Sequence, residues 1–237
     1  MLEVIKIYKT IKDKKIVSNI TFKVDSGEIF GLLGPNGAGK TSIFYIIAGL
    51  TKADVGEINF FNKKISNIDM HVRSSLGLKY LPQEPSIFQN LTVYENLYGL
   101  AELSFKKKSD INDFIDSSVE EFNLSSILNS KGRQLSGGQR RKVEIARTLA
   151  SNPKIILLDE PFAGIDPIAI DDIKNVLKKL SKKRIGIILT DHNVRETLEI
   201  CDRAAIINNG EIIADGDMNS LIKNNLVKKV YLGNMYS

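Results

Sequence analysis

The sequence contains few cysteine, tryptophan and proline residues. It has one cysteine, no tryptophan and six prolines among its 237 residues. A single cysteine excludes an intrachain disulfide and any cysteine-rich zinc site. Because Cys201 follows Leu198 at helical spacing, we predict that it is a buried core thiol.

Long apolar runs are also missing. A membrane-spanning helix needs about 20 predominantly apolar residues, whereas runs such as 155–158 and 185–189 are much shorter. The amino terminus has no apolar stretch before a small-residue cleavage site, so no secretory signal is indicated. With 43% hydrophobic residues the chain is too apolar for a disordered polymer. These absences predict a soluble intracellular domain.

Charge of one sign is not concentrated anywhere. Lysine and arginine number 33 and aspartate and glutamate 28, which gives a net charge of +5. The basic clusters are scattered and have no aromatic residues between them. Nucleic-acid-binding surfaces gather their cations on one face, so this distribution favours an ordinary solvated surface. We therefore predict no nucleic-acid partner.

Strand-like and helix-like segments alternate along most of the chain. Strand patterns cover residues 4–8, 20–24, 28–33, 57–61, 154–158 and 184–190, and helical patterns lie at about 40–49, from 166 and at 193–200. Asn209-Gly210 between two apolar runs predicts a β-hairpin. Such alternation is typical of a mostly parallel sheet, so we predict an α/β fold. The stretch 84–149 has helical periodicity and few strand signals, which indicates an inserted helical subdomain.

A glycine-rich segment between a strand and a helix carries the first chemical signal. Residues Gly34–Thr41 fit the pattern G-x-x-x-x-G-K-[ST]. The glycines let backbone N–H groups approach phosphate oxygens, and the following helix directs its partial positive end at the same anion. Lys40 would neutralise β- and γ-phosphate charge, and the Thr41 hydroxyl would bind Mg²⁺. The segment therefore predicts a phosphate-binding loop.

Two carboxylates follow the apolar strand 155–158. At the carboxyl edge of a parallel sheet, such groups face the crevice in which ligands bind. Asp159 suits water-mediated support of Mg²⁺, and Glu160 suits a general base that polarises an attacking water. The alternative is an acidic turn without function, which the presence of a phosphate-binding loop disfavours.

A second glycine-rich turn, LSGGQ at residues 135–139, opens a basic helix. This turn provides a second helix terminus that can bind an anion. Two such termini could bind one nucleotide if two chains pair head to tail, because each chain would then contribute one terminus to the site. The three motifs in this order resemble the ATP-binding cassette (ABC) ATPases. The resemblance implies a P-loop NTPase fold in which a RecA-like parallel sheet carries an antiparallel β subdomain and an inserted helical subdomain. It also implies ATP hydrolysis with Mg²⁺, performed by a homodimer.

The resemblance assigns roles residue by residue. Tyr8 would stack on adenine, with a strand-end core aromatic as the alternative, and Gln83 would contact Mg²⁺ and link the subdomains. His192 would sense the γ-phosphate, and Asp166 would lie in the loop that crosses the dimer interface.

The implied catalytic residues are Glu160, His192, Lys40 and Gln83. The implied ATP-binding residues are Tyr8, Gly34, Pro35, Asn36, Gly37, Ala38, Gly39, Lys40, Thr41, Ser42 and Asp159. The implied Mg²⁺ contacts are Thr41, Gln83 and, through water, Asp159. The implied contacts to the partner's ATP are Leu135, Ser136, Gly137, Gly138 and Gln139, the last standing where some members have glutamate.

The resemblance spans the chain as one nucleotide-binding domain. Its core and β subdomain would cover about 1–83 and 150–216, its helical subdomain 84–149 and its C-terminal tail 217–237. Segments 80–88, 158–167, 190–198 and 227–233 look like the branch of the family that powers lipopolysaccharide export. That likeness implies a cytoplasmic ATPase bound peripherally at the inner membrane, with no lipid contact of its own. Phe88 would line a groove for permease coupling helices, with an ordinary core phenylalanine as the alternative.

The partners that this branch implies are a second copy of the chain, LptF-like and LptG-like permease subunits and an LptC-like bitopic protein. Other functions remain open. Branched-chain amino-acid import ATPases share the chemistry and move a different cargo. Cassettes in DNA repair or translation usually carry two copies or long insertions, which we do not expect in 237 residues. A non-hydrolysing module would lack Glu160 or His192, and both are present.

Overall fold

Strands and helices account for most of residues 1–232, the part of the chain that the computed structural model describes. The end of the predicted tail, 233–237, lies outside the described residues. The strands are β1 (Leu2–Ile11), β2 (Lys14–Val24), β3 (Ile29–Leu33), β4 (Val55–Phe60), β5 (Lys63–Lys64), β6 (Leu78–Leu81), β7 (Ile155–Asp159), β8 (Gly186–Thr190), β9 (Arg203–Asn208) and β10 (Glu211–Asp217). The α-helices are α1 (Lys40–Ala48), α2 (Met70–Ser75), α3 (Val93–Ser104), α4 (Lys108–Glu121), α5 (Gly137–Leu149), α6 (Pro167–Lys182), α7 (Val194–Ile200), α8 (Met218–Lys223) and α9 (Asn225–Val227).

The larger sheet has the strand order β10–β9–β3–β8–β7–β6 within the described residues. Neighbours from β9 to β6 pair in parallel, and β10 pairs antiparallel with β9. Every residue of β3, β7 and β8 is buried, as expected where helices cover both faces of a parallel sheet. The predicted mostly parallel sheet is confirmed. Since these three strands run in the same direction, the loops after Leu33, Asp159 and Thr190 leave one common edge.

A smaller antiparallel sheet has the order β2–β1–β4–β5. Its buried side chains, among them Leu2, Ile20 and Ile58, share one apolar core with α1 and with one face of the larger sheet. On β2, the carbonyl of Ile16 approaches the loop that precedes α1. The smaller sheet therefore forms a wall beside that loop.

Three longer helices, α3, α4 and α5, lie between β6 and β7 in the chain. α3 begins with a capping box, in which the Glu95 N–H donates to Thr92 Oγ1 and the Thr92 N–H donates to the Glu95 carboxylate. Apolar residues such as Leu97 and Val143 pack with one face of α6 in a second core. These helices lie in the stretch for which helical periodicity was predicted, and its division as a subdomain stays a prediction.

Helix α6 begins as the sequence predicted. Asp166 is its N-cap, with Oδ1 accepting from the Ala169 N–H at 2.9 Å, and Pro167 occupies the first helical position. The apolar face of α6 is buried and comprises Ile170, Ile173, Val176, Leu177 and Leu180.

β6 and α2 are elements that the sequence patterns did not indicate. β6 has four residues, and the polar side chains of Lys79 and Tyr80 weaken its apolar pattern. It forms beside β7 at the edge of the larger sheet, a pairing that depends on residues far along the chain. β2 begins at Lys14 rather than near Ile20, because its pairing with β1 continues beyond the apolar part of the strand.

The structure also bears on three smaller features of the chain. Asn209 and Gly210 form the two-residue turn between β9 and β10, so the predicted hairpin is confirmed. Cys201 is buried as predicted, and this burial raises the pKa of its thiol. None of the helices in residues 1–232 has the length and apolar character that crossing a bilayer requires.

Candidate functional site

The glycine-rich loop joins β3 to α1, and its path requires glycine at two positions. Gly34 has φ +149°, and a Cβ there would lie 2.0 Å from the Ile207 carbonyl oxygen. Gly39 has φ +102°, and a Cβ there would lie 2.6 Å from the Ile16 carbonyl oxygen. No side chain fits at such separations without moving the backbone of a neighbouring strand. β9 and β2 therefore hold the loop in place from two sides.

The loop lines a cavity of about 350 Å³. The N-cap of α1 is Gly39, which offers no side-chain hydrogen bond to the first turn of the helix. Helix N-termini leave their first N–H groups without intrahelical partners, and such groups bind phosphate well. Thr190 also lines this cavity, and its buried hydroxyl has no hydrogen-bond partner among residues 1–232. A polar ligand would satisfy both sets of groups.

Lys40 is the first residue of α1, and its side chain folds back over the loop. Its ammonium donates hydrogen bonds to the carbonyl oxygens of Gly34 at 2.7 Å and Pro35 at 2.9 Å. Burial lowers the pKa of Lys40, while the negative charges of Glu160 and Asp159 oppose that shift. The loop thus carries a buried positive charge beside two carboxylates, and added phosphate would compensate it further.

Asp159 ends β7 and is 4% exposed. The Tyr80 hydroxyl donates a hydrogen bond to Asp159 Oδ2 at 3.1 Å. Burial raises the pKa of Asp159, whereas the hydrogen bond from Tyr80 lowers it. The contact to Tyr80 had no signal in the sequence, because β6 was itself not predicted.

Glu160 stands between two predicted site residues. Gln83 Nε2 donates to Glu160 Oε2 at 2.7 Å, and His192 Nε2 lies 2.5 Å from Glu160 Oε1. Glu160 has φ +47°, which is uncommon for a residue other than glycine, and its N–H donates to the Thr190 carbonyl at 2.8 Å. The structure therefore brings Gln83, Glu160 and His192 together, and it places the last two beside the phosphate-binding loop.

Asp191 is a site residue that the sequence reasoning missed. Its Oδ2 accepts from the Phe162 N–H and its Oδ1 from the Asn193 N–H, both at 2.8 Å. Burial raises the pKa of Asp191, and these two backbone hydrogen bonds lower it. The carboxylate joins the loop that carries Glu160 to the loop that carries His192. In the sequence, its position directly before His192 is the signal that could have identified it as a site residue.

The turn at 135–139 begins α5 with a capping box. The Gln139 N–H donates to Ser136 Oγ at 3.3 Å, and the Ser136 N–H donates to Gln139 Oε1 at 3.0 Å. Glutamine accepts this bond as glutamate would, so the departure noted at position 139 leaves the turn intact. A Cβ at Gly138 would lie 2.4 Å from that of Ala169, which requires glycine where α5 meets α6. Ser136 and Gly137 are exposed and do not line the phosphate cavity.

Arg141 on α5 is a second residue that the sequence reasoning missed. Its guanidinium donates to the carbonyl oxygens of Pro82 at 3.1 Å and Asp159 at 3.2 Å, and to Glu144 Oε2 at 3.2 Å. Burial lowers the pKa of Arg141, and the Glu144 carboxylate opposes the shift. The side chain therefore connects the helix after the LSGGQ turn to the end of β7 and to the segment that carries Gln83.

Tyr8 and Phe88 lie away from the phosphate cavity. Tyr8 is half-buried on β1 and pairs with Val55 on β4, and the β2 residue at the cavity wall is Ile16. The adenine contact assigned to Tyr8 stays a prediction. Phe88 is 52% exposed, and the Arg147 guanidinium lies 4.8 Å from the centre of its ring. The alternative of a core phenylalanine is therefore excluded.

The oxygen donors near the loop suit a small divalent cation. The described residues contain no group of three or more His, Cys, Asp or Glu side chains that could enclose a metal. Mg²⁺ is usually held by one or two protein oxygens together with substrate phosphates. The Thr41 hydroxyl, the Asp159 carboxylate and the Gln83 amide are donors of that kind, so these residues fit Mg²⁺ bound together with a nucleotide.

Comparison with known proteins agrees with this geometry. The sequence model of the family described as ABC transporter matches residues 17–163. The lipopolysaccharide export system ATP-binding protein LptB of Haemophilus influenzae is 49% identical to this chain, over 96% of this chain and 95% of that protein.

Solved structures of ATP-binding cassettes have the same fold. The ADP conformation of an ATP-binding cassette of an ABC transporter superposes with a TM-score of 0.87 at 29% identity and covers 98% of each chain. A dimeric ATP-binding cassette bound to ADP and Pi superposes with a TM-score of 0.81 at 25% identity and covers 92% of this chain and 99% of that one.

Proposed function

The chain belongs to the ABC transporter family, and from that premise we propose that it powers lipopolysaccharide extraction from the inner membrane for export to the outer membrane. As a member of this family it is an ATPase that serves a transporter. The export assignment is supported by the 49% identity with the LptB protein of Haemophilus influenzae, which extends over 95% of that protein. The observation that carries the catalytic assignment is the contact of Glu160 with both Gln83 and His192 beside the phosphate-binding loop.

ATP would bind with its phosphates in the loop 34–42. The N–H groups at the start of α1 would contact phosphate oxygens, and the Lys40 ammonium would turn from its own loop carbonyls to the β- and γ-phosphates. Thr41 and Gln83 would hold Mg²⁺ directly, and Asp159 would hold it through water. When bound, Mg²⁺ neutralises charge on the phosphate oxygens.

Hydrolysis would use Glu160 as the general base. Its carboxylate orients a water molecule and accepts a proton from it as the water oxygen bonds to the γ-phosphorus and the bond to the β–γ bridging oxygen breaks. The His192 imidazole, held beside the same carboxylate, would contact the γ-phosphate. The Thr190 carbonyl fixes the backbone of Glu160, and Asp191 fixes the loop of His192. The two functional side chains are therefore positioned before ATP binds.

Two copies of the chain would complete each ATP site. Ser136 is exposed and lies outside the cavity that the phosphate-binding loop lines, so within one chain it does not face that loop. In a head-to-tail dimer the turn 135–139 would contact the ATP held by the partner subunit, and Asp166 would lie at the interface. The existence of a dimer is supported by the solved dimeric ATP-binding cassette bound to ADP and Pi.

A cleft of about 520 Å³ would receive the coupling helices of the permease subunits. It lies beside the edge strand β6, and residues of α3 and α5 form its opposite wall. Leu103 in this cleft is 84% exposed, and Phe88 stacks on Arg147, another lining residue. The lining combines apolar side chains with polar and charged ones, a mixture that suits an amphipathic helix.

The permease partners would be LptF-like and LptG-like subunits, with an LptC-like bitopic protein. The chain would then act at the cytoplasmic face of the inner membrane. We assign residues 1–83 and 150–216 to the core and β subdomain, 84–149 to the helical subdomain and 217–237 to the tail. This division places the cleft between the two subdomains.

The catalytic assignment is tested by Glu160→Gln. We expect ATP affinity to be retained and hydrolysis to slow by about 10²–10⁴-fold, because the amide does not accept the proton. Glu211→Gln changes an exposed glutamate at the start of β10 and serves as the control. Turnover of Glu160→Gln near the wild-type rate would remove Glu160 from the role of base.

The export assignment is tested by affinity purification of the tagged chain from detergent-solubilised membranes. We expect LptF-like and LptG-like subunits to be recovered, and Phe88→Ala to reduce their recovery. Phe61→Ala is the matched control, since Phe61 is 49% exposed against 52% for Phe88 and lies in the smaller sheet's β4–β5 turn. Recovery of amino-acid permease subunits instead would overturn the export assignment.

A further inference from the structure

Tyr80 on β6 contacts the carboxylate of Asp159. Its hydroxyl donates to Asp159 Oδ2 at 3.1 Å. Its ring meets the ring of Tyr45 on α1 edge-on, with 6.1 Å between the centroids, and also forms part of the wall of the cleft. The phenol is therefore held by packing on one side, and its polar tip is directed at Asp159.

The hydrogen bond is the principal restraint on this carboxylate. Within residues 1–232, the side-chain oxygens of Asp159 accept a hydrogen bond from the Tyr80 hydroxyl and from no other group. Arg141 also approaches Asp159, but it donates to the backbone carbonyl. A carboxylate at a strand end can rotate about its terminal torsion, which is broad. The Tyr80 bond limits that rotation and leaves Oδ1 without a donor among residues 1–232.

The Tyr80 hydroxyl is placed to orient Asp159, because Tyr45 packs against its ring while the hydroxyl donates to the carboxylate. An outer group that orients a metal-supporting carboxylate typically changes metal affinity when it is removed.

We propose that Tyr80 is a positioning residue that fixes the Asp159 carboxylate for Mg²⁺ and thereby sets the Mg²⁺ concentration at which the loop binds nucleotide. This inference rests on the proposed function, since it assumes that Asp159 supports Mg²⁺ beside bound ATP. The role belongs to the hydroxyl and not to the ring, because the ring's packing on Tyr45 would persist without the hydroxyl.

The test is Tyr80→Phe, which keeps the ring and removes the hydroxyl. Binding of a fluorescent, non-hydrolysable ATP analogue is measured against free Mg²⁺ in the full chain, and Mn²⁺ binding with the same analogue is followed by electron paramagnetic resonance. We expect the half-saturating concentrations of both cations to rise about tenfold, the lower end for loss of such a partner. Binding of the analogue in EDTA and the melting temperature should stay at wild-type values.

Tyr98→Phe is the matched control, because Tyr98 lies on α3 and stacks on Tyr94, away from Asp159. Half-saturation of Tyr80→Phe within twofold of the wild type would overturn the inference. So would an equal loss of analogue binding in EDTA, since Tyr80 would then act on the loop rather than on the carboxylate. Failure of the proposed function would look different, because the wild-type chain would itself show no Mg²⁺-dependent binding.

Discussion

Replacing Arg141 with methionine should destabilise the fold more than any exposed substitution on α5. Arg141 is 6% exposed, and its guanidinium donates to two backbone carbonyls, those of Pro82 and Asp159, and to the Glu144 carboxylate. Methionine retains most of the apolar stem and removes all three donors. Glu144 would keep the bond from the Ser86 N–H at 2.6 Å but would become a buried carboxylate that has lost its ion pair. Breaking a buried ion pair in this way costs about 3–5 kcal/mol of unfolding free energy.

Thermal unfolding followed by circular dichroism measures the effect. For chains of this size each kcal/mol lowers the melting temperature by about 2–4 °C, so a decrease of roughly 6–20 °C is expected. Arg140→Met is the control, because the side chain of Arg140 makes one hydrogen bond within residues 1–232, to the Leu135 carbonyl at 3.3 Å. It should lower stability by less than about 1 kcal/mol. An Arg141→Met melting temperature within about 2 °C of the wild type would refute the reasoning.

Three further predictions concern single positions. Gly34→Ala should abolish nucleotide binding, since its Cβ would lie 2.0 Å from the Ile207 carbonyl oxygen, while Gly99→Ala on α3, whose Cβ would meet nothing within 4 Å among residues 1–232, should retain binding in the same titration. Ser136→Ala removes the cap of α5 and should lower unfolding free energy by about 1 kcal/mol in urea titrations; ATP hydrolysis should fall as well, and unchanged hydrolysis would count against the contact in trans. Burial lowers the pKa of Lys174, but its bonds to two glutamates of α7 outweigh this and raise it. When folding raises the pKa of a lysine, the charged lysine stabilises the fold at pH values below its pKa in the unfolded chain, about 10.4. This stabilisation is lost as the pH rises through the pKa in the folded chain. Lys174→Met should therefore be less stable at pH 8, and a deficit that fails to shrink above pH 10.4 would contradict this.

The parts of the site that were predicted correctly are encoded locally. The segment Gly34–Thr41 carries its own strand end, glycines and helix start, so eight consecutive residues indicate a loop that the structure confirms. Likewise, Asp166-Pro167 specifies the start of α6 through capping within four residues. The apolar runs of the central strands indicated a buried parallel sheet for the same reason.

The parts that were missed depend on distant contacts. The Tyr80 hydroxyl reaches a carboxylate 79 positions away, and Arg141 reaches a carbonyl 59 positions away. Neither residue stands in a pattern that differs from an ordinary strand or an ordinary basic helix. Their roles emerge when β6 joins the edge of the sheet and α5 packs on the end of β7. A single sequence does not indicate which distant segments of the chain pair with each other.

Two hydrogen bonds to the backbone link the loops after β7 and β8 and thereby hold Glu160 and His192 together as one unit. The Glu160 N–H is bonded to the Thr190 carbonyl, and the Asp191 carboxylate is bonded to the Phe162 N–H. Gln83, by contrast, touches this unit through a side-chain amide at the end of a different strand. A rotation that carries β6 away from β7 would break the contact of the Gln83 amide with Glu160 and would leave the Glu160 carboxylate in contact with the His192 imidazole.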